Sequence, residues 1–195
     1  MRNTLWLPIL LAITCCLADD RCERIVNGNV VTSSRDPKLQ LRLPSSVRYV
    51  GGERWLLYGI ADCELHVFVE GQDGEQVQRL YWLQFEGYVA SKPTLHYQYD
   101  SPAHTKLNGL DFYVDIYARP SERRVGSDRE HVEGLLSRAG FRLATGMKYV
   151  RLVHVLDDTK RKELMIIYGE AKDEAQSDNA LLDGAKKRIT IEPMP

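Results

Sequence analysis

Leu110 to Ala118 alternates cleanly along the chain. Leu110, Phe112, Val114 and Ile116 take one side, and Asp111, Tyr113, Asp115 and Tyr117 take the other. A period of two places each set on its own face of a strand, with the polar set towards water. Trp55 to Glu70 and Val77 to Val89 read as two longer strands joined by the loop Gly71-Gln72-Asp73-Gly74-Glu75-Gln76. Met147 to Leu156 and Glu163 to Glu170 form another pair across the polar turn at Asp157-Asp158-Thr159. Leu164 to Tyr168 is apolar on both faces, as a central strand requires. Asn27-Gly28 supplies a tight turn between Ile25-Val26 and Val30-Val31.

The helical period appears once strongly. Ser127-Asp128-Arg129-Glu130 is a capping box, Val132, Leu135, Leu136 and Ala139 make a single stripe, and Gly140 is the stop. Ser177 to Arg188 is a weaker helix, with Ile189-Thr190-Ile191 as a last short strand. Strands follow one another through short loops, without the strand–helix alternation of doubly wound folds. The expected fold is therefore α+β: a curved, partly closed antiparallel sheet of about six strands carrying one well-capped helix and a weaker C-terminal one.

The hydrophobic pattern also selects a register for the long hairpin. With a three-residue loop at Gln72-Asp73-Gly74, Leu65 opposes Tyr81. Cys63, Leu65, Val67 and Val69 then share an apolar face with Val77, Tyr81, Leu83 and Phe85. The outer face carries Asp62, Glu64, His66, Trp82, Gln84, Glu86 and Tyr88.

Export changes how the cysteines are read. Met1-Arg2-Asn3-Thr4 precedes a charge-free run from Leu5 to Leu17, then Ala18 and Asp19-Asp20. This is the pattern of a secretory signal occupying residues 1–18, and the run is shorter than the about 20 residues of a membrane span. Lipid attachment at Cys15 or Cys16 is the variant reading. Residues 19–195 are left as a single exported domain, periplasmic or secreted, with 19–44 its least patterned segment. It retains Cys22 and Cys63, expected to pair in an oxidising compartment; that bond would add roughly 3–4 kcal/mol. The formal net charge of −1 over 195 residues gives no electrostatic reason to bind nucleic acid. No stretch of the mature chain is apolar enough to span a membrane.

Two constellations carry candidate chemistry. Asp62, Glu64 and His66 project from one strand face at period two, with Trp82, Gln84, Glu86 and Tyr88 brought beside them by the hairpin. Imidazole with carboxylates can bind a polar ligand, hold a divalent metal or act as an acid–base pair. The second is the loop Ala90 to Asn108, where His96, Tyr97, Tyr99 and His104 offer stacking faces and hydroxyl handles. His131 reads as a surface histidine and His154 as a packing one. Arg24-Ile25-Val26-Asn27-Gly28 is similar to the activation cleavage site of trypsin-like serine proteases. The chain has no Gly-Asp-Ser-Gly-Gly segment, however, and His66 stands in Glu-Leu-His-Val. No nucleotide-binding, Cys-x-x-Cys or His-Glu-x-x-His motif is present.

These features are read as an exported, non-catalytic binding or interaction module for a small ligand or an envelope partner. The alternatives are a hydrolase or isomerase, with or without a metal, using His66 with Glu64 or Glu86, and a structural envelope protein without a pocket. No catalytic residue, resident metal or cofactor is assigned.

Overall fold

The structure is a computed structural model that describes residues 22–71, 76–118, 125–156, 158–171 and 177–194. Residues 1–18, read from the sequence as a secretory signal, the tip of the long hairpin at 72–75 and Asp157 lie outside the described residues. Among the described residues, thirteen strands and two helices follow in chain order. The strands are β1 (Ile25–Asn27), β2 (Val30–Ser33), β3 (Leu39–Arg42), β4 (Arg48–Leu57), β5 (Ala61–Glu70), β6 (Gln76–Val77), β7 (Arg79–Tyr88), β8 (Ala103–Leu107) and β9 (Leu110–Tyr117). Helix α1 (Asp128–Arg138), β10 (Arg142–Leu143), β11 (Met147–Leu156), β12 (Lys162–Ala171), helix α2 (Asp178–Arg188) and β13 (Thr190–Pro193) complete the chain.

Seven strands make one antiparallel sheet in the order β4-β5-β7-β12-β11-β9-β8, and β12 is its middle member, as its two apolar faces require. The sheet is open, not partly closed, and has seven strands where about six are expected from the pattern. A second antiparallel sheet, β1-β2-β3-β13, was not foreseen as a separate layer. The β1–β2 hairpin pairs Asn27 with Val30, so its turn is Gly28-Asn29, one residue later than Asn27-Gly28.

Both faces of the large sheet are covered. On one, Leu65, Val67, Leu80, Trp82, Val153 and Ile167 pack under Val132, Leu135 and Leu136 of α1. On the other, Phe68, Tyr81, Leu83, Phe112, Leu152 and Tyr168 pack against Val31, Leu39 and Leu41 of the small sheet and Leu181 and Ala185 of α2. This second cover corrects the face assignment. Four side chains of over-ring or ring size (Tyr81, Tyr168, Phe68 and Phe112) are fully buried beneath it. Phenylalanine-sized burial of this kind contributes a few kcal/mol per residue.

The hairpin register differs from the expected one by three residues. Leu65 opposes Gln84, and Tyr81 opposes Phe68. The ladder begins only at Glu70–Arg79, because Gln76 and Val77 leave it to pair with β10 in parallel. An odd shift exchanges the faces. Cys63, Leu65, Val67 and Val69 therefore share their face with Leu80, Trp82, Gln84 and Glu86. Glu64, His66 and Phe68 share theirs with Tyr81, Leu83 and Phe85.

Two further turns interrupt stretches read as continuous. Trp55–Glu70 is broken by Tyr58-Gly59, both left-handed (φ 49° and 72°), so β4 and β5 are separate antiparallel strands. Within 90–108, residues 103–107 form β8, joined to β9 by Asn108-Gly109, again with positive φ at both positions. That is the two-residue hairpin turn for which Asn-Gly is suited. Helix α1 starts after Ser127 and is followed by the left-handed Gly140, as its sequence indicates. The Gly126 N–H donates to Glu130 Oε2 at 2.6 Å, while Ser127 makes no side-chain cap. Among the described residues no helix is long and apolar enough to cross a membrane.

Candidate functional site

The pairing β4–β5–β7–β12 lines up polar side chains at one end of the large sheet, on both of its faces. Trp55, Cys63, Glu86 and Glu163 form one cross-strand row facing α1. Arg54, Glu64 and Phe85 form the adjacent row facing the small sheet. The seven residues of the first constellation are thereby split between the faces. Asp62, Glu64 and His66 stay together, but Trp82, Gln84, Glu86 and Tyr88 lie on the other side.

Glu64 and His66 are not solvated; each is 1% exposed. Glu64 accepts from the backbone N–H of Glu23 at 2.9 Å and of Arg24 at 2.8 Å, and from the Arg24 guanidinium at 3.1 Å. His66 Nε2 lies 3.0 Å from Glu64 Oε1, and its Nδ1 lies 3.0 Å from the Tyr49 hydroxyl. Burial works against ionisation of Glu64, but the hydrogen bonds from His66 and the two N–H groups, with the Arg24 charge, outweigh it and hold the carboxyl down at about 2. The N-terminal segment is thus clamped onto β5. Outside this clamp, Arg54 bridges Asp62 at 2.5 Å and Glu23 at 2.6 Å.

Gly52, across from His66, leaves the space in which Tyr49 reaches the imidazole. A Cβ there would stand 2.7 Å from the Tyr49 oxygen and 2.8 Å from His66 Nδ1. Gly52→Ala is expected to break that contact and cost about 1–3 kcal/mol by overpacking, read from the shift in the urea midpoint.

On the α1 side, Trp82 Nε1 donates to Gln84 Oε1 at 2.6 Å, and the Gln84 amide donates in turn to Glu86 Oε1. The Tyr97 hydroxyl donates to Glu86 Oε2 at 3.3 Å, and the Tyr99 hydroxyl to Glu163 Oε2 at 2.6 Å. Tyr88 stacks on Tyr97, ring centres 4.4 Å apart. Glu86 and Glu163 are direct cross-strand partners. Burial, then the charge of Asp128, pushes Glu86 up to about 7. Burial, then the charge of Glu86, pushes Glu163 up to about 8. Burial also raises Asp128, whose Oδ1 is buried without a hydrogen bond.

Tyr97 and Tyr99 of the second constellation thus join part of the first. His96 does not; it is exposed beside Thr94 O. His104 is exposed on β8, tilted against Tyr113. His131 is more than a surface residue, stacking on Trp55 at 4.1 Å and meeting Glu53 at 3.0 Å. His154 packs against Phe112, as expected.

Cys22 and Cys63 are not joined in a disulfide. Neighbouring residues of β5 point to opposite faces, and this separates the two thiols. Cys63 belongs with Glu86 and Asp128 on the α1 side, whereas Cys22 lies beside Glu64 and His66. Glu163, Asp128 and Arg161 were absent from the sequence-derived site. Arg161 ties the 88–95 segment down through the carbonyls of Tyr88, Val89, Lys92 and Leu95 at 2.8–3.2 Å. The signal for Glu163 was present: it opens the run Leu164 to Tyr168, which is apolar on both faces.

Between the clamped N-terminal segment and the end of β7 lies a cleft of about 550 Å³. Arg24, Arg35, Arg54 and Lys162 line it together with Glu23, Asp36, Asp62 and Glu64, and Phe85 and Tyr88 supply its apolar surface. The cations are paired with the acids: Arg35 with Glu23 at 3.0 Å and Lys162 with Asp36 at 2.7 Å, beside the pairs already described. Gly87 forms part of the lining, and a Cβ there would meet only Lys162 Cγ at 3.5 Å and Arg161 O at 3.8 Å. Comparison with protein-family models, with curated proteins and with solved structures finds no match for this chain.

Proposed function

We propose that the protein is an exported, non-catalytic binding module whose ligand occupies the cleft beside Gly87. The observation that carries this reading is the cleft itself. Its volume of about 550 Å³ falls in the usual range of about 300–1,000 Å³ for small-molecule sites. A glycine inside a strand commonly marks a place where another group comes close to the backbone. Side chains of both signs line the cleft in matched pairs, which suits a small ligand offering both donors and acceptors, such as a zwitterion or a polyol, better than a polyanion. Phe85 and Tyr88 would cover its apolar part.

The enzymatic alternative draws less support. His66 is separated from Glu86 by the sheet, and its contact with Glu64 is buried, with both ring nitrogens engaged. The reading is tested by a thermal-shift screen of amino acids, betaines and sugars on wild type and Gly87→Leu. The leucine adds bulk to the cleft lining at a position where a Cβ meets only ordinary contact distances. A true ligand raises the wild-type melting temperature, as any compound that binds only the folded state does, and has no effect on Gly87→Leu. A compound that stabilises both proteins equally would place the site elsewhere.

A further inference from the structure

We infer that Cys22, Glu64 and His66 form a binding site for a thiophilic divalent cation of the zinc or cobalt(II) class, which fastens the N-terminal segment to β5. Their donor atoms lie within 4.8 Å of one another. The 3.0 Å between His66 Nε2 and Glu64 Oε1 suits a hydrogen bond. It also suits two ligands each about 2 Å from one ion. A thiolate and a carboxylate balance a divalent charge, the imidazole adds a neutral nitrogen, and sulfur with nitrogen selects against magnesium or calcium.

The surroundings fit this role. A metal-bound imidazole needs an oxygen on its other nitrogen, and the Tyr49 hydroxyl stands 3.0 Å from His66 Nδ1. That hydroxyl donates to Nδ1 when Nε2 carries the proton, and accepts from it when Nε2 turns to a metal. Glu64 is oriented by its partners: Oε2 accepts from the Glu23 N–H and the Arg24 guanidinium, and Oε1 accepts from the Arg24 N–H while facing His66. Glu64 and Arg24 also line the open cleft, which gives an ion an entry path. Binding exchanges the Cys22 thiol proton, released to solvent, for a sulfur–metal bond.

The competing trio, Cys63, Glu86 and Asp128, has no imidazole, and Glu163 adds a further carboxylate beside it. The site shares Glu64 with the cleft lining, but its readout, a thiolate–cobalt band that depends on Cys22, is separate from that of the cleft ligand, because Cys22 does not line the cleft.

The test titrates the reduced protein lacking residues 1–18, in which Cys22 and Cys63 are the two thiols, with Co²⁺. One equivalent should produce a thiolate-to-cobalt charge-transfer band that Zn²⁺ abolishes. The band should be lost in Cys22→Ala and kept in Cys63→Ala. In wild type, peptide mapping after alkylation should show Zn²⁺ protecting Cys22 and leaving Cys63 unchanged, a readout that needs no variant to fold. No band in wild type, a band that survives Cys22→Ala, or protection of Cys63 in place of Cys22 would overturn the assignment.

Discussion

Replacing His66 by alanine is expected to destabilise the protein by about 3–5 kcal/mol. The imidazole is 1% exposed and bridges Tyr49 to Glu64. Its removal leaves a cavity, strips one donor from an ionised buried carboxylate and removes the hydrogen bond between the imidazole and the Tyr49 hydroxyl. Each of the last two effects costs about 1–3 kcal/mol. The outcome also separates two structures of the same hairpin. Were His66 on a solvated face, as the period-two pattern alone indicates, the substitution would cost well under about 1 kcal/mol. Urea unfolding of wild type and His66→Ala decides between them, and a near-neutral result would return His66 to the surface.

The second large effect is on pH. Glu86 and Glu163 are pushed up to about 7 and about 8 in the fold, whereas an unfolded chain ionises them near the usual 4.3. The folded state therefore binds more protons than the unfolded one between these values. Their contribution is fully present below about 4.3 and is lost as pH rises through 7 to 8. The loss is roughly 3 kcal/mol or more across the window, on the order of 10 °C in melting temperature for a domain of this size. Glu163→Gln keeps an oxygen to accept from Tyr99 and cannot ionise, so the decline between pH 5 and 8.5 should be shallower and the variant more stable than wild type at pH 8.5. Glu64 acts in the opposite sense: its held-down carboxyl adds stability above the usual carboxylate range, lost as pH falls towards about 2. Differential scanning fluorimetry from pH 3 to 9 reads both limbs. An unchanged slope in Glu163→Gln would show that this carboxylate is ionised throughout.

Much of the architecture was legible because local signals and tertiary packing agree. Ser127, the Val132–Leu135–Leu136 stripe and Gly140 delimit α1, and the two-sided apolar run Leu164 to Tyr168 identifies the middle strand. The site was less legible because its faces depend on the second cover. A strand under one layer shows its solvent side as polar, and Glu64-x-His66 looks like such a side. Once the small sheet and α2 cover it, the same residues are a buried anchor for the N-terminal segment. The register slipped for a local reason: Gln76 and Val77 continue the alternation of β7 although they pair with β10. Tyr58-Gly59 escaped notice because a single glycine in an apolar stretch does not look like a turn. Conversely, Tyr97 and Tyr99 belong to one of the two sequence constellations and Glu86 to the other, and the fold joins them through Glu163.

The claim that the cleft beside Gly87 holds a ligand is tested most directly by native mass spectrometry of the protein purified from its own host, wild type against Gly87→Leu. The account predicts a small-molecule adduct on wild type that is missing from the leucine variant, both proteins being folded. The same adduct on both, or bare protein in both, would contradict it.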